Sequence, residues 1–404
     1  MGYSSQNPAK DDWIDRARRA DVWAVLGRVS KVGKLKLRGG KAVGPCPACG
    51  GTDRFSVDRH KNVFFCRRSG KGGDAIALVQ YLEGADFLGA VEIITGEAPP
   101  DGASNVKHDP ELLAARCLER DREDEKRSRD ASDFRQKEID RAAKIWREGA
   151  EVSGSAVERY LTLRGLVAPA GARLRCHPSL RYWEWSVRKK AFQVLHESPA
   201  MLARIDDAEH RFQGVHCTYI DLNQKKGKAE IVNPESGEIL PAKKMRGAKK
   251  GGHIHLGGSA TSALKLFVGE GIETVLSVQS ALLAAGRTLD DALFWTSCDL
   301  GNLGGPSEMS VVHPVMKRID SRGHSRSLKV PGPVPLWRDD EAILMPPRQI
   351  TDVTLLGDGD SDRFSTEQHL KRANARWASP GRHIRAAWAA NGADFGDMWQ
   401  RKNA

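Results

Sequence analysis

Two short stretches carry the residue types that phosphoryl chemistry needs. Thr351-Asp-Val-Thr-Leu-Leu-Gly-Asp358-Gly-Asp360-Ser-Asp362 and Leu264-Lys-Leu-Phe-Val-Gly-Glu270-Gly-Ile-Glu273 each run from apolar residues into glycine-spaced carboxylates. Carboxylates are hard oxygen donors, and strand ends of α/β sheets present such groups to ligands. Asp358 and Asp360 can both reach one divalent cation if Gly359 allows a sharp turn. Glu270, at the end of another strand, then completes a magnesium or manganese site suited to phosphoryl transfer. Asp362 joins the metal-facing group, and Glu273 stands close behind it. An isolated Asp-Gly turn is usually a solvated loop; the ordered pair of runs argues for a site.

A second constellation is made of thiols. Cys46 and Cys49, in Pro45-Cys-Pro-Ala-Cys-Gly-Gly, have the spacing with which two thiolates grip one zinc ion, and Cys66 supplies a third. The residue three positions after Cys66 is Ser69, a poor zinc ligand, and His60 in the Asp58-Arg-His-Lys turn is a substitute for the fourth corner. A third group is basic: Lys243-Lys244-Met-Arg246-Gly reads as a glycine-containing loop. It holds nucleotide phosphates or template backbone, or is a plain surface loop. His216 reads as a packed strand residue rather than a catalytic base.

The elements that must position these groups alternate. Leu264–Val268, Ala292–Thr296, Val353–Leu356 and Ile384–Trp388 read as strands; a helix follows Thr274, and Ser365-Thr-Glu-Gln368 reads as a capping box opening another. Alternation of strand and helix argues for parallel pairing with right-handed crossovers. Residues 300 to 350, rich in Gly and Pro, read as a long inserted loop. Residues 99–150 are charged, without Gly or Pro from 111 to 148, and read as a solvent-exposed helical linker.

The chain has 404 residues, room for two or three domains. Lys plus Arg is 63 against 52 for Asp plus Glu, a net charge of +11 that favours a polyanionic partner. No run is long and apolar enough to cross a bilayer and no signal-peptide segment opens the chain, so the expected setting is cytoplasmic. Seven scattered cysteines do not describe a disulfide framework. Nothing matches the G-x-x-x-x-G-K-S/T phosphate loop of a fused helicase motor.

The two carboxylate runs resemble the Toprim domain, shared by bacterial and phage DNA primases, type IA and II topoisomerases and some nucleases. The likeness covers residues 261–404 and implies an α/β, doubly wound, mostly parallel sheet, with Glu270, Asp358 and Asp360 as the catalytic, metal-binding set. Gly392-Ala-Asp394-Phe-Gly-Asp397 resembles an acidic tail motif of primase-type members, which lets Asp394 support the site. Cys-Pro-Ala-Cys-Gly-Gly-Thr-Asp53-Arg54-Phe55 with Gly72-Gly73-Asp74 resembles the N-terminal, CHC2-like zinc-binding domain of phage and plasmid primases, over residues 1–98. Residues 151–260 resemble the mixed α+β segment before the Toprim domain in primase-like proteins of mobile elements. Together these imply a DNA primase making short primers on single-stranded DNA from nucleoside triphosphates, with a separate helicase as partner. A Toprim nuclease and a non-catalytic DNA-binding accessory protein are the alternatives. Arg54, Arg67 and Arg68, with Phe64 or Phe65, are the expected template contacts, and Lys243, Lys244 and Arg246 the expected phosphate contacts.

Overall fold

The computed structural model describes residues 8–29, 35–38, 40–100, 110–319, 323–337 and 342–403. The chain divides into two compact units, Met1–Arg129 and Asp130–Ala404.

In the first unit, α1 (Pro8–Arg19) and α2 (Val22–Val29) precede a sheet of five strands in sequential order. These are β1 (Lys36–Arg38), β2 (Lys41–Cys46), β3 (Gly50–Asp58), β4 (Val63–Cys66) and β5 (Gly72–Gly73), all antiparallel. Helices α3 (Ala75–Glu83) and α4 (Phe87–Thr95) follow. Asp74 caps α3 by accepting from the Ala77 amide, Asp86 caps α4 through Gly89, and each helix stops at a left-handed glycine, Gly84 and Gly96. Trp13, Leu26, Phe55, Phe64 and Leu78 are buried together in its core.

Helix α5 (Pro110–Glu148) is continuous over 39 residues. The sequence predicts a solvated linker, and its C-terminal end departs from that. Ala142, Ile145 and Trp146 fall on one face at helical spacing and pack with Leu202, Val215 and Tyr219 of the second unit. The Arg175 guanidinium covers the Trp146 ring at 4.6 Å.

The second unit continues with α6 (Ala156–Leu163), β6 (Leu174–Ser186), β7 (Ala191–Asp206) and β8 (Phe212–Tyr219). A small ladder, β9 (Ile231–Val232) with β10 (Ile239–Leu240), precedes β11 (Lys243–Gly247), which joins an antiparallel sheet in the order β11-β8-β7-β6. Then come β12 (Ile254–Gly257), β13 (Lys265–Gly269), α7 (Ile272–Ala284), β14 (Ala292–Thr296), α8 (Leu300–Gly304), β15 (Ser310–Ile319), β16 (Ser325–Pro331), β17 (Asp352–Gly357), α9 (Arg363–Trp377), β18 (His383–Trp388) and α10 (Phe395–Asn403). The second sheet has the order β12-β14-β13-β17-β18, parallel except for β12.

Period-two burial divides the two faces of this sheet. Ala292, Phe294 and Leu356 meet Ile272, Val275 and Leu276 of α7, whereas Leu266, Val268, Leu293, Trp295, Val353 and Leu355 meet Leu370, Ala373 and Trp377 of α9. Val157, Tyr160 and Leu161 of α6 and Met201, Ala203 and Ile205 of β7 share the α7 core, so residues on both sides of 260 are packed together. The chain leaves β13 toward β14 on one side, while β17 lies on the other. That reversal opens a crevice beyond the carboxyl ends of β13 and β17.

Residues 300–350 are not simply a loop, because β15 and β16 form an antiparallel hairpin there. Its base is tied to α9 by two buried arginines: Arg372 Nε donates to the Gly305 carbonyl at 3.0 Å, and Arg376 Nη2 to that of Pro306 at 2.8 Å.

Candidate functional site

The crevice holds a cavity of about 240 Å³ whose lining includes Glu270, Asp358, Asp360 and Asp394. Glu270 follows β13 directly, and Asp358 follows β17. Gly359 is required by packing rather than by an unusual backbone angle: a Cβ there would stand 2.1 Å from the Ala390 carbonyl oxygen. Its amide donates to the Ala393 carbonyl at 2.9 Å, drawing the Asp394 loop against Asp358. Asp394 in turn accepts from the Asp397 amide at the start of α10.

Crowding shows in the protonation of these groups. Burial first, with Asp394 and Asp360 adding repulsion, pushes the Asp358 carboxyl up to about 6, although Thr274 Oγ1 donates to it at 3.0 Å. Burial and the charges of Asp299 and Asp358 raise Glu270 as well. Half-buried carboxylates that repel one another fit a divalent cation, whose charge would relieve the repulsion. Their oxygens do not converge within the 4.8 Å that the three thiols reach, so binding one ion requires side-chain rotation.

Basic groups line the same cavity. Glu273, in the first turn of α7, is buried; its carboxylate accepts from Tyr160 Oη at 2.6 Å and pairs with Lys228 and Lys243, each at 3.1 Å. Burial alone would raise Glu273, but the two ammonium groups and the phenol hold it well below the usual carboxylate range. Lys243 is raised, chiefly by Glu273, and Lys228 is lowered by its burial. Arg164 and His216 also line the cavity. His216 sits in β8 as the sequence predicts, and burial brings it down to about 4, which keeps its imidazole neutral. Lys228, Tyr160 and Arg164 have no motif to announce them.

Three residues expected at this cavity are placed elsewhere. Residues 243 to 247 form a strand, so alternate side chains point apart. Lys243 faces the cavity; Lys244 pairs with Glu184 at 2.8 Å and covers the Tyr182 ring at 3.8 Å. Arg246 lies on that same far side, acting on Glu184 and Tyr182. Asp362 is the N-cap of α9, accepting from the Ser365 amide at 2.8 Å and contacting His313 Nε2 at 3.0 Å. It therefore serves a helix end rather than the metal-facing group, and the helix opens at Asp362 instead of Ser365.

In the first unit, Cys46, Cys49 and Cys66 have their sulfurs within 4.8 Å of one another, the only such metal-competent group among the described residues. Burial alone would raise the Cys66 thiol, but hydrogen bonds from Ser69 and Tyr81 draw it down to about 6. Three converging soft donors, one of them ready to ionise, fit zinc. His60 does not join them: it is exposed at the tip of the β3–β4 hairpin, with its ring against Gly40. Phe64 is buried in the core and Phe65 exposed, so Phe65 alone can meet a ligand. Arg67 is engaged with Asp53, donating to its carbonyl at 2.6 Å; Arg54 reaches the Cys49 carbonyl at 3.4 Å, and Arg68 is exposed.

Residues 11–105 match the CHC2 zinc finger family, and residues 136–256 match a family described as a domain of unknown function. The family match and the thiol cluster coincide, which supports zinc binding by Cys46, Cys49 and Cys66. A DNA primase of Halalkalibacterium halodurans is 34% identical to the chain over 108 residues, 25% of this chain and 18% of that protein. The chain thus spans only a small part of that relative. Among solved structures, the zinc-binding and RNA polymerase domains of the Aquifex aeolicus primase align over 96% of this chain and 82% of theirs, with a TM-score of 0.34 and 16% identity. A DnaG primase catalytic domain bound to ssDNA aligns over 67% and 76%, with a TM-score of 0.35 and 15% identity. No helix among the described residues is long and apolar enough to cross a membrane.

Proposed function

We propose that the chain is a DNA primase, a metal-dependent nucleotidyltransferase of the Toprim type that makes short primers on single-stranded DNA. The observation that carries this reading is the meeting in one cavity of four carboxylates, Glu270, Asp358, Asp360 and Asp394, with three cations, Lys228, Lys243 and Arg164. Acidic oxygens suit divalent cations and ammonium groups suit the phosphates those cations accompany. Magnesium or manganese held by Asp358 and Asp360 would supply charge neutralisation for a triphosphate and its leaving group.

The residues themselves do the rest. Lys243 and Lys228, fixed by Glu273, bind and orient the phosphates. Glu270, its carboxyl raised by burial, accepts the proton of the attacking 3′-hydroxyl. Asp394 positions Asp358 through the Gly359 turn. The thiol module, with Phe65, Arg54, Arg67 and Arg68, holds template strand by stacking and charge. A separate helicase would supply that strand.

The test incubates the protein with single-stranded template, labelled nucleoside triphosphates and magnesium. Labelled primers support the reading. Shortened template would replace it with a nuclease, and an unchanged but bound template with a DNA-binding accessory protein.

A further inference from the structure

The three thiols leave one corner of a tetrahedral site to be filled, and a hydroxyl group already stands there. Tyr81 Oη lies 3.2 Å from Cys46 Sγ, and Cys66 and Cys49 also act on the phenol. Ser69 Oγ donates to that same oxygen at 3.2 Å, and the Lys71 amide orients Ser69 at 3.3 Å. The Tyr81 ring is held by stacking on Phe64, centroids 5.7 Å apart, and by α3, whose Ala75, Ile76, Leu78 and Val79 are buried.

The edges agree with a shared centre. Zinc–sulfur bonds near 2.3 Å and a zinc–oxygen bond near 2.0–2.2 Å imply sulfur–sulfur edges of about 3.8 Å and sulfur–oxygen edges of about 3.5 Å. Cys49 Sγ stands 3.5 Å from Cys66 Sγ, and Cys46 Sγ 3.2 Å from Tyr81 Oη. Slight expansion of both edges around an ion satisfies them together. His60, at the far end of the hairpin, offers no such geometry.

We propose that Tyr81 completes the zinc site of this chain, its phenol oxygen taking the fourth corner with Ser69 hydrogen-bonded behind it. Ser69 thus becomes a supporting donor in a chain whose sulfur is missing at that position. The site is a three-sulfur, one-oxygen centre closed to solvent ligands by an aromatic ring.

Cobalt(II) titrated into the full-length, metal-stripped protein reads the corner directly through its visible absorption. The wild type should give tetrahedral bands that added imidazole does not alter, and His60→Ala should superimpose on it. Tyr81→Phe keeps the ring on Phe64 and removes only the oxygen. It should bind cobalt at least about tenfold more weakly, with bands that shift when imidazole enters the vacated corner. Loss of the bands in His60→Ala would overturn the proposal. So would a Tyr81→Phe protein equal to wild type in affinity and closed to imidazole. None of these readouts depends on primer synthesis.

Discussion

Asp358 and Glu273 are both carboxylates at the crevice, yet their surroundings push them in opposite directions. Asp358 has a folded-state value near 6 against an ordinary 3.8, so the folded protein holds its proton more tightly than the unfolded chain. Its contribution to stability is therefore full below pH 4 and is lost as pH rises from about 4 to 6. Asp358→Asn should raise the melting temperature of the metal-free protein above pH 6 and leave it little changed near pH 4. After discounting for partial exposure the gain is on the order of 1 kcal/mol, about 2–4 °C. Equal melting temperatures at pH 8 would contradict the crowding. Glu273→Gln should do the reverse, because the half-buried Lys228 and Lys243 then lose their counter-charge, at a cost, after discounting for their partial exposure, on the order of 1–2 kcal/mol in denaturant unfolding. Glu270, Asp358 and Asp360 are legible in the sequence because each follows an apolar run through a glycine. Tyr160 is not, since it meets Glu273 from 113 residues away and only the fold brings the two together.

At the scale of elements, glycine and strand alternation decide what reaches the cavity. Gly359→Ala would drive a methyl group into the Ala390 carbonyl, separating the Asp358 turn from the Asp394 loop. A stability loss of about 1–3 kcal/mol and a loss of activity are expected; an active, unperturbed Gly359→Ala protein would show that the two loops need not touch. In β11, Lys243→Ala should raise the nucleotide KM about tenfold or more. Lys244→Ala and Arg246→Ala, on the opposite side of the strand, should leave it unchanged in steady-state assays. A row of basic residues gives no hint of this split until its backbone is known to be extended rather than a loop. The same limit applies to residues 300–350, whose Gly and Pro content conceals a hairpin held by Arg372 and Arg376. It applies again to α5, where a highly charged composition hides the Ala142–Trp146 contact face. The parallel strands were easier to read, because short apolar runs ending in glycine have few other uses.

Across the whole molecule, the net charge of +11 favours a polyanionic partner, and the proposed function has such a partner meet two separate chemical modules. If Arg67 and Arg68 each touch a phosphate, replacing both by Ala should flatten the log–log salt dependence of single-strand affinity by about 1.4 units. The slope measured by fluorescence anisotropy would stay put if the first unit does not grip template. The carboxylates at the sheet's carboxyl edge carry the proposed chemistry. Its most direct measurement compares primer synthesis by wild type and Asp358→Asn on the same template with magnesium, each confirmed folded by its melting curve. The wild type should give labelled primers and the variant, whose metal-free fold is more stable, at least about a hundredfold fewer. Primer yield in Asp358→Asn equal to wild type would contradict it.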